Sequence, residues 1–433
     1  MKFSKTDISI ISIGLIIIAL LFQVAPAKEV SRPEEIKSKR QVVYDDDSYV
    51  ELARLWKAYH EEYPSEYSYA NWMYAARYAG DENYSELLDR GVEKYPGNPT
   101  LLYLKGLESL GLEQDKAGLR FFERAVEIDP DFSDAWFGLV THYMESGEDE
   151  KLNLALRKLL ESGIIADEIM DYNYNVMIAL EPEAIIITNG DNDTYPIWIL
   201  KRMLNIRPDI DVVNRSLLNT TWYPGYLIEQ GVPRFIKNDE LTVLREAMFR
   251  KIKEAGGTMP IGGPVGDTLI MELIDAADKA RRPVYLAKTM YLSETLKRLI
   301  DNGRDLGLVT LVTPSPADYT DQLRHMYEKW LSDFRTGGLI SWRLMYAPEA
   351  DAARFLITNY AFGIAANLRS LKEMAPKLRL ELFNWYRDYI ENLLPEDTRY
   401  RLAQAWSCRA VDIEAVSEWC RAQGIECEDT TEK

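Results

Sequence analysis

Histidine is scarce in this 433-residue chain: His60, His142 and His325 are the only three, far apart and without the spacing of a zinc site. Zinc chemistry is not expected. Cysteine is equally scarce, with Cys408, Cys420 and Cys427 confined to the C-terminal end and no CxxC pair among them. In an exported chain one disulfide could staple this tail; otherwise these are small buried or free thiols. Basic residues are outnumbered, 51 Lys and Arg against 69 Asp and Glu, for a net charge of −18. Phosphate backbones and anionic membrane surfaces are repelled on average, so nucleic acid is excluded as a partner. A 47% hydrophobic content still supplies cores for two or three domains.

Apolar runs of spanning length are also missing, apart from one. "ISIISIGLIIIALLFQV", Ile8 to Val24, carries no charge, is preceded by Lys2 and Lys5 and is followed by the small-residue exit Ala25 to Ala27. Its length fits an uncleaved anchor slightly better than a cleavable signal. Lys28, Arg32, Lys37, Lys39 and Arg40 outnumber the leading lysines, and that count alone favours a cytoplasmic body. The basic start, apolar run and small exit favour export. The expectation is a cell-envelope protein: a single-pass inner-membrane anchor at 1–27 with the body outside the cytoplasm, or a secreted chain if cleavage follows Ala27. Residues 8–24 are then the membrane contact.

After a charged linker at 28–44, Pro64, Pro96 and Pro130 close similar phrases at nearly equal intervals. The second interval matches the tetratricopeptide period of about 34 residues. Gly106 sits where two helices approach, and Phe122 and Ala125 on the packing face. Trp136, Leu139 and Tyr143 take the large positions of the next first helix. Residues 45–165 read as three tetratricopeptide-like repeats with a capping helix, which bury their faces only by stacking. Their aromatics pack between helices, and a concave groove for a protein or peptide is the functional alternative.

At Ala184 the period changes. "AIIIT", "DIDVVN", "RRPVYLAKT" and "LGLVTLVTP" read as strands alternating with helices, which predicts a small, mostly parallel Rossmann-like sheet over 181–314. Amphipathic helices return over 315–433. The expected fold class is α/β plus all-α: an N-terminal transmembrane helix, helical repeats, a sheet domain and C-terminal helices.

Ligands of open parallel sheets bind outside the carboxyl ends of strands. Asn189, Gly190, Asp191, Asn192, Asp193 and Thr194 follow the first strand and Asn214 ends the second, with Asn219, Trp222 and Tyr223 beyond it. All of these are candidate ligand-binding residues. Asp191-Asn192-Asp193 has the D-x-D form by which sugar-nucleotide transferases hold a divalent metal, but no companion base is recognisable. The haloacid-dehalogenase pattern fails because Tyr195 stands where Thr or Val is needed. The competing reading is local: Gly190 makes the turn, Asp193 or Asn192 caps the helix, and Pro196 opens its first turn. "PIGGPVGDTL", Pro260 to Leu269, lacks the lysine of a phosphate loop and reads as a turn into an Asp267 cap.

Thr188 to Trp198 ("TNGDNDTYPIW"), Arg207 to Tyr223 ("RPDIDVVNRSLLNTTWY") and Arg281 to Thr289 together resemble the soluble domain of bacterial membrane proteins related to protein O-mannosyltransferases. The many membrane spans of that family's transferase region are absent, so the resemblance implies an extracytoplasmic accessory domain and carries over no catalytic residue. The expectation is an interaction or scaffold protein accessory to glycosylation or envelope assembly, with no required cofactor and a glycan as a further candidate ligand. The alternative is a metal-dependent glycosyl transferase or hydrolase using Asp191 and Asp193.

Overall fold

The computed structural model describes residues 30–42, 44–109, 115–254, 264–290, 293–347, 350–372, 376–407 and 412–425. The apolar run at 8–24, Cys408 and Cys427 lie outside them. Among the described residues no helix is long and apolar enough to cross a membrane. The chain divides into two compact units, one holding 45–105 with the stretch up to Ile36, the other 37–44 with 106–433.

The first unit contains α1 (Asp46–Glu62), α2 (Glu66–Ala79), α3 (Tyr84–Lys94) and the start of α4 (Pro99–Ser109). Asp45 caps α1 by accepting the Ser48 amide at 2.7 Å, and Ser65 and Ser68 cap α2 reciprocally. α1 and α3 stop just before Pro64 and Pro96, which cannot continue a helix. The core is aromatic: Trp56 is fully buried against Tyr59 and Tyr67, and its indole donates to the Glu34 carbonyl at 3.0 Å. Gly91 is required where α3 meets α2, because a Cβ there would run into the Tyr69 ring. His60 is buried beside Ser68, 2.7 Å from its hydroxyl, and burial lowers its pKa.

The second unit continues with α5 (Asp115–Ile128), α6 (Ser133–Ser146) and α7 (Asp149–Ser162). The first helices of three successive pairs, α2, α4 and α6, begin at Glu66, Pro99 and Ser133. That recurrence is the one the prolines predict. The Phe122 ring is gripped between two glycines: a Cβ on Gly106 would lie 2.5 Å from it and one on Gly138 2.7 Å. Small residues on both sides let the helices close on one large ring.

Next come α8 (Asp167–Ile178), β1 (Ile185–Thr188), α9 (Asp191–Arg202), β2 (Asp211–Asn214), α10 (Tyr223–Glu229), α11 (Asn238–Glu254), α12 (Pro264–Lys279), β3 (Val284–Ala287), α13 (Glu294–Asn302), β4 (Arg304–Asp305) and β5 (Val309–Leu311). The strand order is β2-β1-β3-β5-β4. β1 pairs in parallel with β2 and β3, Ile185 facing Asp211 on one side and Val284 on the other, whereas β5 runs antiparallel to β3 and to β4. The sheet is therefore mixed rather than mostly parallel. The cause is the short return from α13 through β4, which leaves no room for a helical crossover before β5. All of β1 is buried because helices cover both faces. Ile185 and Ile187 join Val213, Leu269, Leu273 and Leu286 in one core layer.

The chain ends in α14 (Tyr319–Asp333), α15 (Trp342–Tyr346), α16 (Asp351–Lys372), α17 (Pro376–Tyr389), α18 (Glu396–Ser407) and α19 (Glu414–Ala422). Trp330 meets Tyr360 and Trp385 edge-on in one aromatic core, and Tyr386 meets Trp406 and Trp419 edge-on in another. Asn175 ties this region to α8, accepting the Arg335 amide at 2.7 Å and donating to Tyr360 Oη at 2.7 Å. Cys420 is fully buried with its thiol on the Ala403 carbonyl at 3.5 Å.

Candidate functional site

β1 leads to β2 on one side, and the chain then returns to β3 on the other side of β1. The carboxyl ends of β1 and β3 therefore flank a topological switch point, where open α/β sheets form their crevice. A cavity of ≈ 780 Å³ lies there. Asn189, Gly190, Asp191, Asn192 and Asp193 form its floor with Thr289, which follows β3. Its roof comes from Asp351, Arg354, Phe355 and Thr358 on α16 and from Leu393 to Pro395 with Thr398.

The two aspartates do different things. Asp193, nearly fully buried, accepts the Asn189 amide at 2.8 Å, the Gly190 amide at 2.7 Å and the Thr289 hydroxyl. It closes the turn after β1 and stitches that turn to the end of β3. Burial pushes its carboxyl above the usual range, while the bonds from Asn189, Thr289 and Gly190 pull the other way. Asp191 points elsewhere, half exposed, and pairs with Arg40 at 3.1 Å. The same guanidinium holds Asp134 at 2.9 Å and lies 4.0 Å over the Phe137 ring of α6. Among the described residues no group of three His, Cys, Asp or Glu could hold a metal ion.

Two expectations about this loop are corrected. Gly190 has φ −142°, an extended conformation open to any residue, and a Cβ on it would meet nothing within 4 Å. The turn is made by the Asp193 carboxylate, not by glycine freedom. Pro196 is not in the first turn of α9, since the helix already begins at Asp191. It stands one turn further in, where its missing N–H leaves the Asn192 carbonyl without its helical donor. Asn173 of α8 supplies the replacement, its Nδ2 donating to that carbonyl at 2.8 Å.

The other candidates divide between the protein interior and a second cleft. Thr194 is fully buried, bonded to Thr188 Oγ1 at 2.7 Å and to Asn214 Nδ2 at 2.9 Å. Tyr223 is fully buried too, accepting the Asn214 amide at 3.0 Å. These three hold β1, β2 and α10 together and do not line the cavity. Asn219 and Trp222 lie with His142 and Thr141 around a separate space of ≈ 460 Å³. Trp222 also borders an adjoining cleft of ≈ 760 Å³ with Tyr143 and Tyr226. Asn219 accepts the Gly266 amide at 2.9 Å.

The Asp267 cap is also corrected: α12 starts at Pro264, and Asp267 pairs instead with Arg215, which is 1% exposed, at 2.7 Å. Residues 260–263 of that glycine-rich stretch lie outside the described residues. Sequence reasoning did not select Thr289, Arg354, Phe355 or Thr398. Thr289 ends the quoted "RRPVYLAKT" and was open to discovery there, whereas the roof residues sit in ordinary amphipathic helix and only tertiary packing brings them to the floor.

No curated protein matches the chain. Among solved structures it is similar to the P58(IPK) TPR domain, at 14% identity over 88% of this chain and 98% of that one, with a TM-score of 0.18. Such a loose overlay bears on neither fold nor function. Residues 169–231 match the family TMEM260-associated domain 2. The matched stretch runs from α8 through β1, α9 and β2 to the end of α10, and so contains the whole floor loop from Asn189 to Asp193.

Proposed function

We propose that the chain is an interaction or scaffold protein, held at the membrane or exported, whose repeat helices take a protein or peptide and whose α/β part is an accessory module of a glycosylation or envelope machinery. The observation that carries this reading is the engagement of both aspartates. Asp193 is filled by three protein donors and Asp191 by Arg40. Neither stands ready as an acid, base or metal ligand, so the cavity above them is a binding site rather than a reaction centre. The match at 169–231 supports the accessory role, and the regular recurrence of helix pairs at Glu66, Pro99 and Ser133 supports a peptide-holding role.

The full chain, captured from membranes after crosslinking, is expected to bring down a protein partner whose recovery falls with Trp222→Ala, at the cleft beside Tyr143; recovery unchanged by that substitution would count against the reading. Calorimetry with manganese, magnesium and sugar nucleotides tests the enzyme alternative. Metal-dependent sugar-nucleotide binding abolished by Asp191→Ala with Asp193→Ala would replace the scaffold reading.

A further inference from the structure

Two spaces in the second unit run into one another. The cleft of ≈ 760 Å³ and the space of ≈ 460 Å³ beside it share Glu145, Thr221, Trp222 and Arg245 as walls, so they form one groove between the C-terminal end of α6 and the elements α10 and α11. Two linked chambers suit a stretch of extended chain better than a compact ligand. Trp222 and Tyr226 make an aromatic corner in the wall, their rings 6.1 Å apart at 73° and both only half buried. The corner is held from behind: Trp222 also meets Tyr223 edge-on at 5.3 Å, and Tyr223 is fully buried and fixed on the Asn214 amide. Two rings set near a right angle give two sides of a cage for a cation, because each ring face is the negative end of its quadrupole.

The charges around this corner are unequal. Glu145, Asp149, Glu229 and Glu246 line the cleft, all exposed, and among the described lining residues the one cation is Arg245. Asp149 is shared with Arg202 at 2.6 Å, which also stands beside the Tyr226 hydroxyl, and even with Arg202 counted the carboxylates outnumber the guanidiniums four to two. Lys151 lies 5.3 Å over the Tyr143 ring and is matched by Glu148 at 2.5 Å, so it does not reverse the balance. We infer that the groove holds an extended segment of a basic polypeptide, with a lysine or arginine side chain seated in the corner between Trp222 and Tyr226. The inference rests on reading the chain as an interaction protein. Charge complementarity selects this occupant over an acidic one, and the net charge of −18 adds long-range attraction for a basic segment. The rings supply what charge alone does not, a fixed place for one side chain at little ordering cost.

The test is fluorescence anisotropy of the full chain in a neutral detergent, with labelled octapeptides of one Gly-Ser-Leu frame that carry two lysines, two glutamines or two glutamates. The lysine peptide is expected to bind about tenfold more tightly than the glutamine peptide, with the glutamate peptide weakest. Trp222→Ala should weaken the lysine peptide by about fivefold. Glu229→Lys with Glu246→Lys should weaken it by about tenfold, and this pair leaves the fold intact because both side chains are exposed. Lysine-peptide binding unchanged by both variants would assign it to the overall charge of the chain and overturn the inference. A preference for the glutamate peptide would make Arg245 the reader of an acidic partner and overturn it too. Capture of the crosslinked partner separates this inference from the reading beneath it. Recovery that falls with Trp222→Ala but not with the double lysine variant overturns the basic segment and leaves the scaffold reading standing, whereas recovery indifferent to both counts against the two together.

Discussion

At Asp193 one carboxylate organises the loop that looked most like chemistry. Asp193→Ala strands two amides and the Thr289 hydroxyl and is expected to cost about 3 kcal/mol. Asp191→Ala removes a half-exposed ion pair and should cost about 1 kcal/mol or less. Urea denaturation separates the two, and equal losses would contradict the division of roles. Arg207 offers a second contrast. It adopts φ +45° and gathers the Met177, Leu180 and Glu181 carbonyls at the end of α8, while its guanidinium beside Asp209 holds that carboxyl at about 2. A depressed carboxyl stabilises the fold above its unfolded value of about 3.9 and loses that contribution as pH falls through its folded value. The advantage of wild type over Arg207→Ala should therefore shrink between pH 4 and 2, which urea midpoints measured across that range will check. "RPDID" was legible as a turn into a strand. The role of Arg207 was not, because its partners belong to the preceding helix.

Between elements, the coupling of α8 to α9 turns on the proline. Asn173→Ala should cost about 1 to 2 kcal/mol by orphaning the Asn192 carbonyl. Pro196→Ala restores an N–H at the position that serves that carbonyl, so the same Asn173→Ala change should cost about 1 kcal/mol less in that background. A double-mutant cycle with no coupling would dissociate the two residues. Much at this scale was readable in advance. The prolines after α1, α3 and α5 gave the spacing of the helix pairs, Gly106 and Phe122 gave a close approach, and the four runs of β-branched residues gave four of the five strands, all but β4. The direction of β5 was not readable, since its apolar pattern is the same in either orientation and only the short β4 reverses the chain.

For the molecule as a whole, the second unit joins repeat helices to the sheet through specific bonds. Tyr195 of α9 donates to the Phe137 carbonyl of α6 at 2.9 Å, and Arg202 reaches Asp149 at 2.6 Å and Asn153 at 3.1 Å on α7. The slowest amides of α6, α7 and α9 should accordingly exchange with one common free energy. Distinct values in native-state hydrogen exchange would mean that the repeats and the sheet open separately. Here the sequence was least informative: the floor residues Asn189 to Asp193 are contiguous at the end of β1, whereas Thr289 and the roof are delivered by elements far further along the chain. The Arg40 clip has a mechanical corollary. A pull entering the second unit through Lys37 meets Ser38 and Arg40 on Asp134 of α6, and Arg40 on Asp191 at the start of α9. Tension along residues 37–40 would load the cavity floor at Asp191, so the shape of the cavity would depend on force.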